Sequence, residues 1–452
     1  MTVAETDSSL QKILQSESIG VYGYGRTGKA VVDTLQNYIG AQQLWVMDDA
    51  EEKRKQIDSE AIQVFTEKQQ LGQLDRLIVS PGVPADHPFL RRARSRGIPV
   101  WGEIELAYRL IQEGTFWAVT GTNGKSTCVE LAGKFLEARG KSPFVGGNRG
   151  RPLIEAVSDP YDYSDYVVEV SSFQVEGLKQ FRPDHALLTN LGDDHVDRHG
   201  SIEAYHQLKW DLLTRLESGR MVYPEQQIPP DCHADLKIGF NDANSYGLSY
   251  PLKWSRDGLV VGSSVIKKET IPLQLQMFPE NLLSVISLVF PGPDSSTVRR
   301  GIDQFEPLPY RAETVPDTGS IDVINDSKAT NPHAVSRIVN QVNQPFRLVL
   351  GGAGKQSDYS GLFDLLSRKP PEELVITGGK SLRESMTRHS EKNNLNYRIE
   401  SDWRKAVQSL VKRANDREAV LLSPGATSFD AFKNYQERGR KFNEWVREAV
   451  VS

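Results

Sequence analysis

The sequence predicts an α/β protein of three domains, each around a largely parallel sheet, with a Rossmann-like first domain and a P-loop-type central domain. Three observations carry this. Apolar, strand-like runs recur at helix-length intervals along the 452 residues. Most of these runs end in glycine, proline, serine or an acid, and several of the stretches between them are amphipathic with helical period. A chain of this length exceeds what one core usually serves, so two to four domains are expected. Three segments separate best: 1–105, 106–308 and 309–452.

In the first segment the runs are SIGVYG, LWVMDD and RLIVSPG. Gly23, Gly25 and Gly28 form G-x-G-x-x-G after the first run, and Asp48 and Asp49 close the second. Glycines there admit phosphates and an acid takes a ribose hydroxyl, so a dinucleotide-dependent oxidoreductase is one reading. The other is a turn whose glycines only let helix and strand pack. SPGVP, residues 80–84, is a second glycine turn after a strand. It favours a nucleotide-like ligand without choosing NAD over UDP.

The second segment opens on FWAVTG and the turn TNGKST. Gly124, Lys125 and Ser126 satisfy the end of G-x-x-x-x-G-K-[ST], while Val119 stands where that pattern has glycine. Backbone N–H groups at a helix start would face an anion, Lys125 would add a point charge, and Ser126 or Thr127 a hydroxyl for Mg2+. An ordinary strand-to-helix turn is the alternative. Glu169 interrupts the apolar run YVVEVSS; it is either matched by a cation or metal, or sits on an exposed edge. After ALLTNLG, His195 stands among Asp193, Asp194 and Asp197. Glu169 and His195 could complete a Mg2+ site, although turn acids and a helix cap explain the aspartates equally well. His199 and His206 read as solvated. In SIEAYHQLKWDLLTRL, Ser201 is an N-cap candidate and Ile202, Tyr205, Lys209, Leu212 and Leu216 recur at helical spacing. Lys209 thus falls in the apolar stripe, either snorkelling or turned inward beside a phosphate or metal. Residues 220–275 read as irregular, and LLSVISLVF, residues 282–290, is too short to span a membrane.

The third segment carries RLVLGG, ELVITGG and AVLLSPG and ends in a charged helix, NYQERGRKFNEWVREAV. Across the chain 38% of residues are hydrophobic and 25% charged, and 54 Lys and Arg against 59 Asp and Glu leave a net charge of -5. That balance lacks the basic footprint of a nucleic-acid binder. Cys128 and Cys232 are too few for a disulfide scaffold, and the start MTVAETDSSLQKILQSE lacks a signal-peptide layout. A cytoplasmic protein is expected.

Taken together, TGTNGKST, VVEVSSFQVE, LGDDHVDRHGS, LKWDLL, LPYRAE, INDSKATNP, LVLGGAGK and SPGATSFDAFKNYQERG resemble the Mur ligase family of peptidoglycan synthesis, in family order across nearly the whole chain. INDSKATN and SPGATSFDAFKNYQERG are similar to its D-glutamate-adding branch. The resemblance implies three α/β domains that bind a UDP-sugar, ATP and the incoming amino acid. It also implies ATP-dependent joining of D-glutamate to UDP-MurNAc-L-alanine through an acyl phosphate, with release of ADP and phosphate. Mg2+ is the expected ion at two sites, with Mn2+ as a substitute.

By motif position the resemblance places ATP on Gly121, Thr122, Asn123, Gly124, Lys125, Ser126, Thr127, Asn148, Asn281, Arg311, Asp326 and Lys328. Ser126, Glu169, His195 and Lys209, the last as a carbamate, are the implied metal ligands; Lys125, Lys209 and His195 are the implied catalytic residues. Gly25, Arg26, Thr27, Asp48, Ser80, Pro81 and Gly82 would hold the UDP-sugar, and Thr330, Lys355, Ser428, Phe429 and Tyr435 the D-glutamate. A monomer acting on small molecules, without nucleic acid or membrane insertion, is expected. The sequence departs from the family at Glu280 and Ser284, where H-N-x-x-N is common, at Tyr310, where histidine is common, and at Asp49, where threonine is frequent.

Overall fold

The computed structural model describes residues 3–57, 62–64, 71–227, 231, 233–241, 243–292, 294–354 and 357–451. Three sheets organise it. The first contains β1 (Ser18–Tyr22), β2 (Gln43–Met47), β3 (Ile62–Val64), β4 (Arg76–Val79) and β5 (Val100–Gly102), all parallel in the order β3-β2-β1-β4-β5. The central sheet contains β6 (Thr115–Thr120), β7 (Pro143–Gly147), β8 (Asp165–Glu169), β9 (His185–Leu188), β10 (Arg220–Pro224), β11 (Leu236–Phe240) and β12 (Ser245–Tyr246). Its order is β12-β11-β10-β9-β6-β8-β7, and only β12 runs antiparallel to its neighbour.

The stretch read as irregular adds a small antiparallel sheet, β13 (Leu252–Ser255), β14 (Gly258–Val261) and β15 (Ser264–Lys267). Its outer strands are partly exposed and mix polar with apolar residues, so they lack the apolar run that marks a buried strand. The third sheet contains β16 (Glu313–Thr314), β17 (Asp322–Asn325), β18 (Phe346–Gly352), β19 (Glu373–Gly378), β20 (Tyr397–Ile399) and β21 (Ala419–Gly425). It runs β16-β17-β21-β18-β19-β20, antiparallel only at β16.

The strands read as unbroken apolar runs because both faces of each sheet are covered. In β6, Phe116 and Ala118 enter one core and Trp117 and Val119 the other; in β18, Leu348 and Leu350 are separated from Val349 in the same way. The core that holds Phe116 continues into the first sheet through Ile104, Val21 and Val46. Around that shared core, Gly102 N–H donates to Gly177 O at 3.0 Å. Buried Glu105 accepts the N–H groups of Lys179, Gln180 and Phe181 at 2.7–3.1 Å. Glu103 accepts that of Ile154 at 2.7 Å. Among the described residues no helix is long and apolar enough to cross a membrane.

Candidate active site

The central site begins where β6 delivers the chain to the turn 121–124. Gly124 has φ 87° and lies against Asn281; a Cβ there would stand 2.6 Å from Asn281 Oδ1. Only glycine suits that combination of hand and crowding. The helix Lys125–Ala138 follows at once, so its free N–H groups open on the cavity above the strand ends. Lys125 Nζ donates to Gly121 O at 2.7 Å and Thr122 O at 2.9 Å.

Glu169 ends β8, an interior strand between β6 and β7, and is 3% exposed. The exposed-edge reading is therefore wrong: parallel pairing on both sides buries this acid. Oε1 accepts from Asn148 Nδ2 at 2.9 Å, while Oε2 is buried with no hydrogen-bond partner. Burial raises the acid's pKa, but Lys125, Ser126, Asn148 and Arg311 together outweigh it and hold the group below its usual value. An ionised carboxylate with an unmatched buried oxygen is suited to a cation.

His195 follows β9 with a left-handed backbone, φ 53°. Its ring packs edge-on to Phe173 at 4.8 Å, and Nε2 lies 3.6 Å from Asp194 Oδ2. The expectation that His199 is solvated fails: its side chain is buried, stacked on Phe173 and Tyr205, with Ser172 Oγ at 3.0 Å. His206 is half-buried, with a ring nitrogen 3.3 Å from Gly192 O.

Ser201 caps the helix Ile202–Leu213 by accepting from Ala204 N–H at 3.1 Å. Its apolar stripe faces inward and takes Lys209 with it. The lysine is 1% exposed, so snorkelling is excluded. Nζ donates to Gly121 O at 3.0 Å and stands 4.0 Å from the Tyr205 ring centroid. Burial, with Lys125 adding to it, drives the amine's pKa well below its ordinary value.

The third sheet supplies the opposite wall. Arg311 Nη2 donates to Ser126 Oγ at 3.0 Å. Asp326 accepts from Ala312 N–H at 3.3 Å and Ser423 Oγ at 3.1 Å, and burial pushes it up to about 7. Lys328 lies 4.3 Å from the Tyr435 ring centroid; burial first, then Arg311, lowers it to about 7. Asn123 Nδ2 reaches Asn331 Oδ1 at 3.3 Å and His333 Nδ1 at 3.0 Å. Glu280, at a departure from the family pattern, forms an ion pair with Arg337 across the junction, and the guanidinium lies 4.7 Å from the Phe278 ring centroid. Tyr310, the second departure, packs on Gly439.

One cavity of about 420 Å³ joins these walls. It is lined by Arg26, residues 122–127, Asn148, Glu169, His195, Lys209, Asn281, Arg311, Asp326, Lys328, Thr330 and Tyr435. Gly121 is not among the lining residues; its carbonyl accepts from both cavity lysines. Ser80 and Pro81 line a second cavity between the first and central sheets. Gly25, Thr27 and Gly82 line neither. Asp48 also lines neither cavity; it is buried, and its carboxylate accepts from Tyr24 N–H at 2.7 Å and Ala50 N–H at 2.9 Å. The exposed acid at that edge is Asp49, held by Tyr22 Oη at 2.8 Å. Ser428 is buried outside the cavity lining and Phe429 is 72% exposed; Lys355 lies outside the described residues. Sequence reading missed Arg149, Gln274, Phe278, Asn331 and Arg337, which also line the cavity. Arg149 stands beside Asn148 in GGNRG and Asn331 lies within INDSKATN, so the motifs pointed at both; Arg337 carries no local signal.

Among the described residues no three His, Cys, Asp or Glu side chains gather as a metal cage. Mg2+ held largely by phosphates and water needs only one or two protein ligands, and the unmatched Glu169 Oε2 fits that demand.

Solved structures share this architecture. MurF ligase from Thermotoga maritima in complex with ADP superposes with TM-score 0.55 at 14% identity, covering 98% of this chain and 96% of that one. The UDP-N-acetylmuramate-alanine ligase MurC of the same organism gives 0.53 at 17%, covering 96% and 100%. The fold is therefore the one that these Mur ligases share. Family profiles agree along the chain: the MurD-like N-terminal domain matches residues 17–102, the Mur ligase middle domain 119–270 and the glutamate ligase domain 310–425. The UDP-N-acetylmuramoylalanine–D-glutamate ligase of Caldicellulosiruptor bescii is 30% identical over 97% of this chain and 99% of its own length. That of Koribacter versatilis is 33% identical over 82% and 83%. The chain belongs to the Mur ligase family, among the UDP-N-acetylmuramoylalanine–D-glutamate ligases.

Proposed function

We infer that this chain is an ATP-dependent ligase that joins the amine of D-glutamate to the alanine carboxylate of UDP-N-acetylmuramoylalanine in peptidoglycan synthesis. The observation that carries the reading is that Lys125, Glu169, His195 and Lys209, from four separate motifs, line one cavity closed by Arg311 and Lys328. We assign residues 1–105 to the UDP-sugar, 106–308 to ATP and 309–452 to closure and D-glutamate, in a cytoplasmic monomer.

Joining a carboxylate to an amine in water is uphill, and oxide is a poor leaving group; ATP removes both obstacles. A carboxylate oxygen of the alanine attacks the γ-phosphorus, an O–P bond forms, the β,γ-bridging P–O bond breaks and ADP leaves. The D-glutamate amine then attacks the acyl carbon, the C–O bond to phosphate breaks, and the amine sheds a proton. In the first step Lys125 and Arg311 face the charge that develops on the transferring group. Lys328, near neutrality in its buried place, gains a proton as the polyanion arrives. Ser126, Glu169, His195 and Lys209 as a carbamate are the residues that would hold Mg2+, which would neutralise phosphate oxygens.

The burial of Lys209 supports the carbamate. An amine held neutral has its lone pair free, and attack on CO2 forms an N–C bond with loss of a proton, turning a buried base into an anion beside a cationic loop. Closure of the third sheet over the site would keep the acyl phosphate from water. D-Glutamate selection rests on Thr330 and Tyr435 in the cavity, with Lys355 and Ser428 proposed for its carboxylates. Phosphate release with ATP, Mg2+ and UDP-N-acetylmuramoylalanine tests the reading: turnover is expected with D-glutamate and not with L-glutamate, and equal rates with both would refute it.

A further inference from the structure

We propose that Arg149 is a phosphate-binding residue of the nucleotide site, gripping from the central sheet the same polyanion that Arg311 meets from the third. The proposal rests on the nucleotide reading above. β7 ends at Gly147 and the chain reverses at once: Gly147 N–H donates to Arg151 O at 2.7 Å, and Asn148 N–H to Glu169 O at 2.8 Å. Both sides of the turn are thereby tied, one to β8, and Arg149 stands between them at the tip. Its side chain lines the cavity shared with Lys125, Arg311 and Lys328.

Arg149 Nη1 is buried and has no hydrogen-bond partner, and Arg311 Nε is in the same condition. A charged donor removed from water without an acceptor is strongly unfavourable. The acids nearby leave that donor unmatched: Glu130 attracts Arg149 but makes no hydrogen bond to Nη1, and Glu169 takes its hydrogen bond from Asn148. Arg149, Arg311 and Lys328 also oppose one another as like charges. One ligand chemistry answers all of this, a chain of phosphates whose oxygens reach donors on both walls, which the planar guanidinium fork is shaped to meet. ATP and the diphosphate of the UDP-sugar share that chemistry. The company of Lys125 and Arg311 assigns Arg149 to ATP.

Isothermal titration of the wild type, Arg149→Met and Arg149→Lys with ATP, inorganic triphosphate and UDP-N-acetylmuramoylalanine separates the sources. Arg149→Met is expected to weaken ATP and triphosphate alike by about tenfold or more, to leave the UDP-sugar within about twofold, and to melt like the wild type. Unchanged binding of ATP and triphosphate, or a loss confined to the UDP-sugar, would overturn the assignment. If Arg149→Met melts early, Arg149→Lys decides. It keeps the charge without the fork, so a loss of about severalfold for triphosphate is expected, and wild-type affinity would overturn the proposal. A wild type that fails to bind ATP would instead remove the nucleotide reading beneath it.

Discussion

At the scale of single residues the site is a set of charges forced into unusual states by burial. Lys125→Ala removes the point charge at the helix start, and turnover is expected to fall by about a hundredfold or more. Phosphate release measures this, with an unchanged melting temperature showing that the fold survives. Lys209→Ala is expected to be inactive yet partly restored by short carboxylic acids, which place an anion where the carbamate would stand; full activity without additive would remove that role. Lys328 makes a prediction about protons. Its pKa of about 7 in the buried site leaves it mostly neutral at pH 8, and an arriving polyphosphate favours the charged form. ATP binding at pH 8 should therefore take up a proton, and affinity should fall as pH rises above about 7. Titration in buffers of different ionisation enthalpy reads the uptake directly, and Lys328→Met should abolish it.

At the scale of elements, the acids of the helix Glu103–Leu110 dock the first sheet on the central one. Burial raises Glu103 from 4.5 to about 7, so between those values the folded state keeps a proton that the unfolded chain has released. Stability from this group is full below 4.5 and is lost as pH rises through 7. Glu103→Gln should consequently melt above the wild type at pH 8 and alongside it at pH 4.5, by calorimetry at both values. In the first glycine turn, a Cβ on Gly28 would stand 1.9 Å from Gly23 O, so Gly28→Ala is expected to cost about 1–3 kcal/mol and to raise KM for the UDP-sugar. Elements of this kind were legible in the sequence wherever periodicity and turn chemistry are local. All nine strand-like runs are strands, and Lys209 stood out because it broke an apolar stripe. The sheet β13–β15 was not legible, since its outer strands are partly exposed and mix polar with apolar residues, whereas β4 and β9, equally short, are nearly all buried. Arg337 could not be found at all: only the tertiary fold brings it to Glu280.

At the scale of the molecule the two junctions differ in kind. The first and central sheets share one apolar core and are fastened by backbone groups of 102, 154 and 179–181, contacts that a ligand has no means of loosening. The central and third sheets meet across a cavity whose facing cations, Lys125 and Arg149 against Arg311 and Lys328, repel. Holding them together are side-chain contacts, Arg311 to Ser126, Asn123 to Asn331 and His333, and the partly buried pair Glu280–Arg337. Closure of the third sheet is therefore expected to depend on an anion, with the first two sheets moving as one body. Small-angle scattering should show a smaller radius of gyration with a non-hydrolysable ATP analogue and UDP-N-acetylmuramoylalanine than without them. Glu280→Ala, which breaks the ion pair with Arg337 across this junction, should require on the order of tenfold more analogue to reach the same compaction, with its melting temperature at saturation close to the wild type. A radius that stays constant through the titration would mean that the junction is as permanent as the first, and that the cations are balanced by something other than nucleotide.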